Sequence, residues 1–327
     1  VRLFFAFLTV LTLAACSRGD EGGVLIDSRT PPALAPRFFP PDNWGFGVIA
    51  LPKTPHIRYG AAAPDGPPRA NVVILPAYGE SAEVYYETVR ELTAKGYAVW
   101  VLDGVAQGGS ARFPGPRDLG RSNGFGFDAA ALEGLVKQVV RPDAGRPLVV
   151  AASGSSALSA LLAAEDGRSL VDGMFLWDPA LAAAPGADRA ARMTHWRLGG
   201  LRAEGGSEWG RPTGDLSGRA TLPAAWQLAN PDLRMGGPAW EWIAAEDSTL
   251  KRLLGPGQQP GAPRPIEIVS ASNKAALLCS AFPKCHVQGA AASALPRHLA
   301  PDPVRNPWRD ALIAFIEARI AERAHAA

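Results

Sequence analysis

The sequence predicts an α/β architecture, a mostly parallel sheet with helices on both faces. Two observations carry the prediction. Short apolar runs rich in β-branched residues, Asn71–Leu75, Tyr97–Leu102 and Leu148–Val150, alternate with stretches of helix formers near 84–95, 127–140 and 157–164. Runs without a polar alternation suit strands buried on both faces, and such strands joined through helices lie parallel. The second observation is that 47% of the 327 residues are hydrophobic, which is ample for a substantial core. A sheet of this kind places ligands and chemistry at the carboxyl ends of its strands.

The formal net charge is +2 and no run of Lys and Arg is interleaved with aromatics, so the composition offers no nucleic-acid surface. Arg2 precedes an apolar run, Leu3 to Ala15, too short to span a bilayer but fitting a secretory signal. It ends in Leu13-Ala14-Ala15-Cys16, which resembles the bacterial lipobox. The resemblance implies that residues 1–15 are a signal peptide and that Cys16 is acylated. Ser17, not Asp, then implies a lipid-anchored protein of the outer membrane facing the periplasm. In that oxidising compartment Cys279 and Cys285, six residues apart and without a His/Asp cluster, are expected to form a disulfide. No metal site and no cofactor is predicted. Residues 16–55, rich in Gly, Pro and Asp, are expected to form a tether and an N-terminal arm.

The core then runs in order. Ile57-Arg58-Tyr59 is a candidate first strand. Asn71–Leu75 follows and ends in the loop Pro76-Ala77-Tyr78-Gly79-Glu80-Ser81. A helix over about 84–95 stops at Gly96, and Tyr97–Leu102 ends at Asp103. Leu148 to Ala164 reads as strand, sharp turn and helix, with Ser153 at the turn. Small residues two positions either side, Ala151 and Ser155, fit a nucleophile elbow, although an ordinary strand-to-helix connection has the same local pattern.

Four stretches in order and spacing resemble the lysophospholipase and monoacylglycerol lipase branch of the α/β-hydrolases. Val73–Ser81 is similar to its strand and H-G-x-G-E-H motif, with Pro76-Ala77 in place of His-Gly. Tyr85 through Leu102 matches its tyrosine, helix and strand. Asp103–Ser110 stands where the branch has D-x-R-G-x-G-x-S, and Ala151–Ser156 where it has G-H-S-M-G-G. The resemblance implies an α/β-hydrolase core over 56–180 and 263–327, interrupted by a helical cap over 181–262. Trp196, Trp209, Trp226, Trp240 and Trp242 lie in that insertion, where they line an acyl pocket, face a membrane or simply pack the cap.

A serine nucleophile needs an imidazole, an orienting acid and an oxyanion hole. With Ser153 as the nucleophile, His298 is the expected base. His56 precedes the core, His195 lies in the cap, His286 falls within a strand and His325 in the tail. His298 also sits between the last strand and the closing helix, where the family carries its histidine. The family's acid follows the strand near Ile266–Val269, but Ser270-Ala271-Ser272-Asn273-Lys274 holds no carboxylate. Asp178, in Leu176-Trp177-Asp178-Pro179, is the alternative acid, unless it merely caps a turn. The resemblance assigns the oxyanion hole to the backbone amides of Tyr78 and Gly154, and gives Asp103, Gln107 and Ser110 structural roles in the loop. Expected partners are a small lipid or ester substrate and the membrane reached by the N-terminal anchor. Two functions compete: a membrane-tethered serine hydrolase cleaving carboxylic esters of lysophospholipid or monoacylglycerol type, and a catalytically degenerate relative acting as an envelope binding or scaffold lipoprotein. Peptidase activity would share the fold.

Overall fold

The computed structural model describes residues 23–164, 170–255 and 264–326. Cys16 and the signal segment lie outside them. Eight strands form one sheet: β1 (Gly45–Ile49), β2 (Ile57–Ala62), β3 (Ala70–Leu75), β4 (Tyr97–Leu102), β5 (Leu148–Ser153), β6 (Gly173–Pro179), β7 (Ile266–Ser270) and β8 (Cys285–Gly289). Their spatial order is β1-β2-β4-β3-β5-β6-β7-β8. The β1–β2 and β2–β4 pairs are antiparallel and all the others parallel.

Alternation along the central strands sorts the core into two layers. Val73, Val150, Ala152 and Leu176 pack with α2 (Phe125–Leu135), α3 (Gly154–Ala164) and α6 (Trp240–Leu254). Val72, Val149, Ala151, Phe175 and Trp177 face α1 (Tyr86–Ala94) and Trp308, Leu312 and Ile316 of α8 (Asp302–Ala326). Phe315 of α8 is only partly buried; it packs beside Gly173, where a Cβ would come within 2.9 Å of its ring.

Between β6 and β7 the chain leaves the sheet and builds α4 (Ala187–His195), α5 (Leu222–Ala229) and α6. Arg219, just before α5, pairs with Glu87 of α1 and Asp302 of α8 and so pins this insertion to the core. Trp242 packs edge-on to Tyr78 and Phe125, closing the junction on the other side. Trp226, Trp240 and Trp242 are buried, Trp209 is half-buried and Trp196 stands out at 61% exposure. A short helix α7 (Lys274–Cys279) links β7 to β8, and a disulfide joins Cys279 to Cys285 across that connection.

The segment 16–55, read as tether and arm, contributes β1. Glycine hides this strand from a propensity reading. A side chain at Gly47 would strike the Tyr59 ring at 2.3 Å, and one at Gly60 would strike Trp44 at 1.8 Å, so aromatic rings lie directly over the backbone of both β1 and β2.

The loops at the carboxyl ends of β3 and β4 are tied together by buried charge. The Arg58 guanidinium on β2 meets Glu83 through paired bonds of 2.8 Å and Asp103 at 2.6 Å, with all three side chains fully buried. Asp103 also accepts the amides of Ala82 and Gly109, and Ser110 Oγ accepts the Arg58 amide. Replacing Arg58 by Met strands two buried carboxylates. Urea unfolding is expected to show a loss of about 3–5 kcal/mol.

Candidate active site

The carboxyl end of β5 is where acyl-transfer chemistry would sit. Ser153 is the last residue of β5, and α3 begins at Gly154. An elbow residue turns sharply out of its strand and presents its side chain at the top of the sheet. In this chain the left-handed residue at the turn is Gly154, with φ +55°. A Cβ built on Gly154 would point at Ala77, 3.3 Å away, on the loop that follows β3. Ser153 keeps the strand alternation and shares the layer of Val149, Ala151 and Trp177. It is buried, and its Oγ has no hydrogen-bond partner. The hydroxyl therefore lies inside the α1/α8 layer beside Tyr85, not at the tip of the turn.

His298 sits in a short 3-10 turn, Arg297–Leu299, ahead of α8. Its ring is buried, stacks on Tyr85 at 4.7 Å and lies between Trp177 and Trp308. The Trp177 indole N–H donates to Nδ1 at 3.2 Å, so Nδ1 is an acceptor and the ring proton belongs on Nε2. Nε2 lies 3.0 Å from Oε1 of Glu80. In the charge relay the acid faces one ring nitrogen and the serine the other. In this protein the acid stands at Nε2 and an N–H donor occupies the opposite nitrogen.

Glu80 is fully enclosed, accepting the Tyr85 hydroxyl at 2.6 Å and the Ala77 amide at 3.1 Å. Burial alone would raise its carboxyl. The His298 imidazole and the bonds from Tyr85 and Ala77 outweigh burial and hold it below the ordinary glutamate value. Burial and the Glu80 carboxylate together push the Tyr85 phenol well up, so it stays a donor. The result is a polar chain, Tyr85, Glu80, His298, Trp177, sealed in aromatic packing with Ser153 beside it.

Asp178, the expected acid, turns elsewhere. It has φ +44° and pairs with Arg297, Oδ2 to Nε at 3.0 Å and Oδ1 to Nη2 at 3.2 Å. Burial raises its carboxyl, a shift that Arg297 opposes. Asn273 directly precedes α7 and is exposed, and the 270–274 loop is organised by Ser270 and Ser272 hydroxyls. Tyr78 and Gly154, the two backbone candidates for the oxyanion hole, stand on facing turns, with the Tyr78 hydroxyl bonded to Gly236 of the cap. With Gly154 at the elbow, the amide that follows the elbow is that of Ser155. Gln107 accepts the Gly79 amide, which joins its loop to the one after β3. Glu80, Tyr85 and Trp177 received no role from the sequence, though Glu80 stands at the Glu of the family motif. Among the described residues no group of three or more His, Cys, Asp or Glu could hold a metal ion.

Beside the elbow, the cap and core enclose a cleft of about 610 Å³, walled by Leu181, Pro185, Pro238, Trp242 and Ile243, with Pro179 and Ser272 at its floor. Glu246 of α6 stands in its apolar wall, next to Ile243 and Trp242 in the lining. Burial, followed by the neighbouring Asp247, raises its carboxyl to about 7 from an ordinary 4.5.

The mostly parallel eight-stranded sheet, the helices on both faces and the insertion between β6 and β7 define an α/β-hydrolase fold. Residues 66–221 match the model of the serine aminopeptidase S33 family. Among solved structures, a monoglyceride lipase from Saccharomyces cerevisiae is similar at 14% identity, covering 84% of this chain and 94% of that one, with a TM-score of 0.63. A thermostable carboxyl esterase from Bacillus coagulans is similar at 15% identity over 84% and 99%, with a TM-score of 0.64. A monoacylglycerol lipase from Paleococcus ferrophilus shares 14% over 80% and 98%, with a TM-score of 0.59. No curated protein sequence matches the chain.

The raised Glu246 carboxyl fixes the sign of a pH effect. The folded state holds this proton more tightly than the unfolded chain, so stability falls as pH rises from about 4.5 to about 7. Glu246→Gln removes that loss. In urea melts the variant is expected to gain roughly 2 kcal/mol on the wild type between pH 4 and pH 8.

Proposed function

We propose that this chain is a ligand-binding α/β-hydrolase of the bacterial envelope. It takes lipid-like esters or fatty acyl chains into the cap cleft, and acyl transfer at Ser153 has been lost. The observation that carries this reading is the glycine at the elbow. Gly154 adopts the turn where a nucleophile would project, while Ser153 Oγ is shut inside the layer below. The orientation of His298 supports the same reading, because Trp177 claims the nitrogen opposite Glu80. The cleft supports the ligand class: its walls are apolar and its volume suits one acyl chain. Acylation of Cys16 would keep the protein at the outer membrane, where such ligands partition.

A second reading is a serine esterase acting on lysophospholipid- or monoacylglycerol-type esters through an acyl-enzyme. It is favoured by the polar chain from Tyr85 through Glu80 to His298, which runs beside Ser153. It requires the Ser153 hydroxyl to be uncovered and His298 to turn. An aminopeptidase would make the same demand.

Covalent labelling separates the readings. With the full chain and a fluorophosphonate probe, no labelling is expected above a Ser153→Ala control, and Ser153-dependent labelling would overturn the proposal. The cleft has its own test. Ile243→Trp fills the apolar wall and is expected to weaken binding of a fluorescent fatty acid by tenfold or more, read by titration, with the melting temperature as a fold control.

A further inference from the structure

Large apolar side chains are buried when a neighbour can cover them, so a cluster left in water marks a contact surface. Among the described residues, seven large hydrophobics are exposed, and three of them fall within six positions: Trp196 at 61%, Leu198 at 43% and Leu201 at 54%. They lie on the turn leaving α4, and this turn is held firmly. Leu198 N–H bonds Met193 O, Leu201 N–H bonds Leu198 O, and the amides of Trp240 and Glu241 at the start of α6 donate to Leu201 O and Gly199 O at 3.0 and 2.8 Å. Arg197 is held at φ +61°. The apolar side chains are thus carried outward on a clamped backbone.

The charge carried by residues 192–201 themselves has one sign. Arg192, His195 and Arg197 are exposed in the same stretch. The nearby carboxylates are largely committed: Glu204 pairs with Arg189, and Glu241, against which Gly199 packs, pairs with Arg121 at 2.7 Å. Asp188 lies at the far end of α4.

We infer that the turn 192–201 is a docking foot for an anionic phospholipid bilayer. An indole flanked by arginines is the side-chain set that settles at a headgroup boundary, the ring in the acyl edge and the guanidinium groups among phosphates. Three apolar side chains fall well short of the roughly 800 Å² that each partner of a stable protein pair buries. They are enough to enter a membrane interface. Ala203 to Gly206, immediately beyond the foot, line the cap cleft, so docking turns the cleft's rim toward the bilayer. The inference stands without the ligand-binding reading, since it concerns the surface and not the cleft's contents.

Hydrogen exchange of the full chain tests it, with phosphatidylglycerol-containing vesicles, with pure phosphatidylcholine vesicles and without vesicles. Peptides covering 192–201 are expected to exchange at least threefold more slowly on the anionic vesicles. Trp196→Ser with Leu201→Ser is expected to abolish that protection, and Arg192→Glu with Arg197→Glu to reduce it severalfold. A chain held to both kinds of vesicle by an N-terminal anchor still reports docking, because the readout is local to the turn. Unchanged exchange on anionic vesicles overturns the inference. So does equal protection on neutral ones, or protection that grows with protein concentration in the absence of vesicles, which would mark a second copy as the occupant.

Discussion

The buried Arg58–Glu83–Asp103 cluster is the constraint on which the upper face of this protein depends. Its members come from β2, from the segment after β3 and from the end of β4, so one guanidinium fixes two loops against a third strand. Each charge is out of water, which is tolerable only because each nitrogen and oxygen of the three charged groups meets a partner of the right kind. Asp103 reaches the Ala82 and Gly109 amides as well, making the two loops one rigid body. Phe46 of β1 covers the guanidinium at 4.3 Å, so the edge hairpin also serves to exclude solvent from the cluster.

Glu80 sits three residues before Glu83, and its position follows from that anchoring. Once the loop is fixed, Tyr85 and the Ala77 amide direct the Glu80 carboxylate at His298, and the imidazole is trapped between Tyr85, Trp177 and Trp308. A catalytic imidazole must accept a proton from one side while an acid supports it from the other. Trp177 can only donate, and it faces Nδ1. The same residues that stabilise this region therefore hold the ring in the wrong sense for relaying a proton from a serine.

The parallel core was legible because buried strands and the helices between them carry different periodicities, and β3, β4 and β5 fall where the apolar runs stand. β1 was not, because Gly47 answers to the Tyr59 ring in another strand, a contact no local pattern contains. The elbow shows the limit more sharply. Ala151 and Ser155 flank Ser153, while Ala152 and Ser156 flank Gly154, so the run of small residues fits either position. Only the backbone turn decides between them, and it falls one residue later than the serine. Asp178 was a sensible candidate from its place at the end of β6, but Arg297, adjacent to His298 in sequence, is the cation that reaches it.

A one-residue displacement at the elbow matters because strand alternation converts it into a change of layer. Position 154 faces Ala77 and the cap side, whereas position 153 faces Tyr85 and the α1/α8 side. The cleft lies on the first side, bordered by Pro179 next to the elbow and by Trp242, which also touches Tyr78. The cleft and the serine are thus on opposite sides of the strand end. Substitutions at Trp242, Ile243 or Glu246 therefore reshape the cleft without touching the layer that holds Ser153.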